Sequence, residues 1–66
     1  MEIILNGENR EIAESTTAAQ LIETLGLAGK RLAMEVNQEI VPRSQFPEFT
    51  LKADDRVEIV HAIGGG

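Results

Sequence analysis

No cysteine occurs among the 66 residues. That excludes a disulfide, a thiolate-bound metal, thiol redox chemistry and a thioester-forming nucleophile within the chain, and it suits a reducing compartment. The single histidine, His61, excludes a histidine-based metal cluster. Long apolar runs are also missing. The N-terminal segment carries an acid at Glu2 and only three consecutive apolar residues, Ile3 to Leu5. This matches neither a secretory leader nor the roughly 20 apolar residues of a membrane-spanning helix. A soluble, cytoplasmic protein with no membrane partner is expected. Basic residues are few, six against eleven acids for a net charge of -5. Nucleic-acid affinity comes largely from Lys and Arg neutralising phosphates, so no nucleic-acid partner is expected. Basic or mixed-charge protein partners are favoured instead.

Catalytic signatures fail in the same way. There is no Gly-x-Ser-x-Gly elbow. There is no phosphate-binding loop either, because the glycines that follow the last apolar run open no helix. The acids are scattered singly apart from Asp54-Asp55. A chain of this length builds one small core and no deep pocket. The expectation is a protein that is not itself an enzyme and holds no cofactor or metal.

What is present is a legible order of elements. Met1, Ile3 and Leu5 alternate with Glu2 and Ile4, the pattern of a strand with one buried face. Asn6-Gly7 is a strong hairpin signal, and "ENREI" reads as the returning strand with Ile12 inward. Thr17 and Gln20 fit a capping box. Ala18, Leu21, Ile22 and Leu25 form an apolar stripe, so the spacing predicts a helix over about residues 18–25. Gly26 stands where a left-handed cap is wanted, with Leu27 packing back on Ile22. "LAMEV" alternates again, with Leu32, Met34 and Val36 on one side. Asn37-Gln38 is a weaker turn signal, and "EIV" is a short strand stopped by Pro42. "RSQFPEF" reads as a helical turn or irregular loop whose Phe46 and Phe49 cap one end of the core. "KADD" is polar turn material. The last strand is "RVEIVHA", with Val57 and Ile59 inward.

A hairpin, a helix across a sheet and further strands make an α+β pattern. The first and last strands are the longest apolar ones and are expected mid-sheet. The order predicts a β-grasp (ubiquitin-like) fold: a mixed sheet of about five strands on one helix. The whole of 1–66 is expected to be a single domain, with 63–66 as a flexible tail.

The chain closes on "HAIGGG", three of its six glycines. Either that tail is idle or its terminal carboxylate is the working part. Without Cβ atoms, Gly64, Gly65 and Gly66 can thread a channel that excludes other sequences, reaching roughly 10 Å beyond Ile63. Their amides and carbonyls remain free to pair with a partner's backbone. Ordering them costs roughly 1–2 kcal/mol per residue and more for glycine, which contacts by the body must offset. If Val57 and Ile59 face inward, Val60 and Ala62 project outward, as Ile4 does on a neighbouring strand. Singly exposed apolar residues are normal, whereas a cluster beside an outgoing tail suggests a docking surface. Ile4, Val60, Ala62 and Ile63 are the candidate docking residues. His61 is expected at the surface, and Asn6 and Asn37 as turn formers.

Three segments resemble one family. "MEIILNGE" at the start, "VNQEIVPR" at Val36 to Arg43 and "DRVEIVHAIGGG" at Asp55 to Gly66 are similar to ThiS, the small sulfur carriers of thiamin thiazole biosynthesis. The resemblance spans the chain. It implies a β-grasp carrier whose C-terminal glycine, here Gly66, is adenylated by a ThiF-type adenylyltransferase using ATP and magnesium. Sulfur drawn from a cysteine desulfurase then converts it to a thiocarboxylate, and a ThiG-type thiazole synthase takes that sulfur. Gly64 and Gly65 would be the threading segment. The small subunit of molybdopterin synthase, a ubiquitin-like modifier conjugated to lysines and a plain interaction module remain as rivals.

Overall fold

The computed structural model describes residues 1–61. β1 (Glu2–Leu5) and β2 (Glu8–Glu11) form the first hairpin. Asn6 (φ 48°) and Gly7 (φ 85°) both lie in the left-handed region. This is the type I′ turn geometry that matches the twist of paired strands. α1 (Ala18–Thr24) follows, then β3 (Leu32–Val36), β4 (Glu39–Val41), a 3-10 turn (Arg43–Gln45) and β5 (Arg56–His61).

The sheet order is β2-β1-β5-β3-β4. β5 is therefore the central strand, parallel to β1 and antiparallel to β3. This is the β-grasp arrangement that the order of elements predicts.

The ends of α1 are fixed by local chemistry. Thr17 and Gln20 form the reciprocal capping box, satisfying two otherwise orphan amides. At the other end Gly26 has φ 74°. Its N–H donates to the Glu23 carbonyl, and the Leu27 N–H donates to that of Ile22. These two bonds make a Schellman cap with Gly26 in the left-handed position. The helix therefore ends at Thr24, and Leu25 serves as its cap.

Ala18, Leu21 and Ile22 of α1 are buried against Ile3 and Leu5 of β1, Met34 and Val36 of β3, and Val57 and Ile59 of β5. Phe46 closes one side as a buried residue, and Phe49 packs against the cluster half-buried. Leu51, which the sequence pattern places in no element, is 2% exposed. Its N–H donates to the Thr16 carbonyl at 2.8 Å, and the neighbouring Thr50 bridges to Thr17. Asn37 (φ 53°) and Gln38 (φ 71°) form a second left-handed pair between β3 and β4. The sequence signal there is weaker only because neither residue is glycine.

With Met1 as first residue, its ammonium donates to Glu11 Oε2 at 2.9 Å and to the Ile12 carbonyl at 2.7 Å. Glu14 Oε2 lies 3.7 Å away. The Glu11 hydrogen bond raises the pKa above the ordinary 8.0 of an α-ammonium, helped by the Glu11 and Glu14 charges and opposed by partial desolvation. A raised folded-state pKa stabilises the fold fully below the unfolded value, and the contribution disappears as pH climbs through the folded value. Urea denaturation should therefore show a loss of stability above about pH 8 that an N-terminally acetylated chain lacks. Identical pH profiles for the two chains would show that the contact contributes nothing.

Candidate functional site

The last strand has two faces with different tasks. Val57 and Ile59 are buried under α1, while Arg56, Glu58 and Val60 point to the face that no helix covers. Pairing with β3 sets Ala33 opposite Val60 and Glu35 opposite Glu58, and Glu35 also faces Ile40 of β4. The outer face therefore has an apolar row, Val60 and Ala33, beside a row of Glu58, Glu35 and Ile40. Val60 is 61% exposed and Ile40 71%. Two like charges directly opposite each other on a sheet are destabilising. Neither glutamate joins an ion pair among the described residues. This face thus presents apolar groups next to uncompensated negative charge.

Ile4 also points to this side but is only half-buried, and its β5 neighbour is Arg56. Val60 lies four residues further along β5, about 13 Å at the usual strand rise. The structure therefore does not bring Ile4 and Val60 into one patch. It brings Val60 together with Ala33, and places Ile40 diagonally from them. Ile40 escapes sequence reading because a three-residue strand shows too little alternation to say which way its middle residue points. Ala62, Ile63, Gly64, Gly65 and Gly66 lie outside the described residues.

Two asparagines clasp β5 from either flank. Asn6 Oδ1 accepts from the Ile59 N–H at 2.9 Å. Asn37 Oδ1 accepts from the Arg56 N–H at 3.0 Å, and its Nδ2 donates to Asp55 Oδ1 at 3.0 Å. The turn formers are thus also the side chains that hold the strand leading to the tail. His61 is exposed, as expected. Arg43 Nη2 donates to the Lys30 carbonyl at 3.0 Å.

A shallow depression of about 560 Å³ lies between α1 and the β2–α1 connection, lined by residues such as Arg10, Glu14, Ser15 and Gln20. No residue of β5 lines it. Among the described residues no three His, Asp or Glu side chains are grouped to hold a metal ion. No helix there is long and apolar enough to cross a membrane.

A model of the ThiS family matches residues 3–66. The chain belongs to the ThiS family. The sulfur carrier protein ThiS of Escherichia coli is 30% identical over 66 residues, covering all of both chains. A crystal structure of the thiamine biosynthesis protein ThiS from Geobacter metallireducens superposes with a TM-score of 0.86 at 32% identity, again over the full length of both. A thiazole synthase of Paramagnetospirillum magneticum is 39% identical over all 66 residues. The chain spans only 20% of that synthase's length. A sequence of this kind therefore occurs both as a chain of this size and as one fifth of a much longer synthase.

Proposed function

We propose that this ThiS-family chain is a sulfur carrier for the thiazole ring of thiamin. It is a cytoplasmic single domain over 1–66 with 63–66 as its tail, and it is not itself an enzyme. The observation that carries the reading is the position of β5. The central strand is the one that continues in sequence into Gly64-Gly65-Gly66. A rigid base under a side-chain-free tether suits delivery of a carboxylate into another protein's site. In a protein that continues past Gly66, the same carboxylate would be exposed by cleavage after that residue.

A carboxylate is inert until one oxygen becomes a leaving group. Attack of the Gly66 carboxylate on the α-phosphorus of ATP gives the acyl adenylate and releases pyrophosphate. A sulfur nucleophile at the oxidation level of sulfide then displaces AMP and leaves the thiocarboxylate. The ATP, magnesium and sulfur-transfer sites belong to partners: a ThiF-type adenylyltransferase and a cysteine desulfurase. A ThiG-type thiazole synthase takes the sulfur. The match of all 66 residues to one fifth of a thiazole synthase supports a link to that last step.

The body docks through the outer sheet face. Val60 supplies apolar contact, together with Ala62 and Ile63 further along and Ile4 at the far end of the face. The unpaired Glu35 and Glu58 favour a partner surface with basic residues, in keeping with the net charge of -5. The test is the intact mass of the protein from its native cells under thiamin limitation. A fraction in which one oxygen is replaced by sulfur is expected, located to the C-terminal peptide. Carboxylate alone under that demand would contradict the carrier reading.

A further inference from the structure

The backbone hydrogen bonds along β5 define a step in the sheet. The Asp55 and Val57 carbonyls accept from the Ile4 and Asn6 N–H groups, so the odd residues of this strand aim their polar groups at β1. The even residues aim theirs at β3, as the bond from the Asn37 N–H to the Arg56 carbonyl shows. β1 stops at Leu5, opposite Val57, and the chain turns away at Asn6-Gly7. β5 continues for four more residues. Asn6 Oδ1 meets the Ile59 N–H at the corner of the step. Beyond it, the register turns the Ile59 carbonyl and the N–H and carbonyl of His61 away from β3, toward the side on which β1 has already ended.

The two outer edges of the sheet are protected in ways that natural sheets use against strand addition. β2 is fully exposed and carries Glu8, Arg10 and Glu11. β4 has only three residues and is followed by Pro42. The step has neither device. It is flanked by Val60 on the outer face, and its strand runs on in sequence into the tail.

We propose that this step is a strand-addition site. An extended backbone segment of the protein that receives the tail pairs with Ile59 and His61, in line with β1. The inference rests on the carrier reading and specifies how the partner grips the last strand. Main-chain pairing gives affinity with little demand on side chains. It also holds the end of β5 in a fixed direction, so part of the ordering cost of the tail is met before the tail enters its channel.

His61→Pro tests this directly. Proline removes the N–H aimed at the step and leaves the bonds of residues 58 and 60 to β3 in place. His61→Ala keeps the N–H and isolates any contribution of the imidazole. With the ThiF-type adenylyltransferase of the same organism, kcat/KM for AMP transfer should be at least about tenfold lower for the proline variant than for the alanine variant, with matching thermal midpoints. That ratio corresponds to about 1.4 kcal/mol, the range of one hydrogen bond. Equal values would overturn strand addition and leave the carrier reading standing. Amide exchange of the unaltered chain supplies a readout independent of folding defects in a variant. The His61 N–H should exchange fast alone and slowly with the adenylyltransferase present. If it is slowed and no AMP is transferred, strand addition stands and the carrier reading fails. If it is neither slowed nor followed by AMP transfer, both are overturned.

Discussion

Removal of Gly66 is expected to reduce AMP transfer by at least about 100-fold while leaving the thermal midpoint unchanged. Each residue of an extended tether supplies about 3.3–3.6 Å of reach. A chain ending at Gly65 therefore holds its carboxylate some 3 Å short of the attacked phosphorus, and a misplacement of about 1 Å can already cost roughly 100-fold. Glycine at 65 offers the same chemical group, so only position changes. Every core residue and strand pairing described above lies within residues 1–61, which is why stability is not expected to move. One extra residue after Gly66 should be equally damaging, because the carboxylate then overshoots. Adenylation with pyrophosphate release, assayed on both variants, decides the matter. Wild-type rates in either would show that the tail is not threaded to a fixed depth.

Leu51→Ala should cost about 2–5 kcal/mol of stability. Leu51 is 2% exposed and lies among the largest fully buried side chains. It also anchors the irregular segment that meets the start of α1, through its own N–H to Thr16 and the Phe49 carbonyl accepting from Ala18. Collapse around a smaller side chain would pull on those bonds. A chain of 66 residues has about 3–10 kcal/mol of stability in total. Each kcal/mol moves the midpoint of so small a domain by roughly 4–8 °C, so the midpoint should fall by roughly 8–40 °C. Urea titration with far-UV circular dichroism measures it. A loss below about 1 kcal/mol would mean that the core repacks around this position.

How much of this was legible beforehand depends on whether the signal is local. The Asn6-Gly7 turn, the Thr17–Gln20 box and the Gly26 cap each rest on contacts within a few residues, so the sequence pattern predicts them almost to the residue. The central position of β1 and β5 follows from their apolar length. Leu51 is different. A single apolar residue between polar neighbours has no period, and only the long-range pairing of its segment with Thr16 and Thr17 buries it. The separation of Ile4 from Val60 depends on strand register, which alternation alone leaves open. The clasp of Asn6 on Ile59 joins positions 53 residues apart, and no spacing rule reaches that far. For the candidate site, sequence identifies the outward side of β5, while Ala33, Ile40 and the step beside His61 come from the register. The glycine tail lies outside the described residues and rests on the sequence and the family.

The buried cluster contains no polar or charged side chain among the described residues. A purely greasy interior tolerates slippage, since one aliphatic contact substitutes readily for another. Conformational uniqueness must therefore come from the periphery, from two left-handed turns and two carboxamides in reach of water. The chain keeps its alignment from the rim inward, and the strand entrusted with the cargo end is the one those rim amides hold.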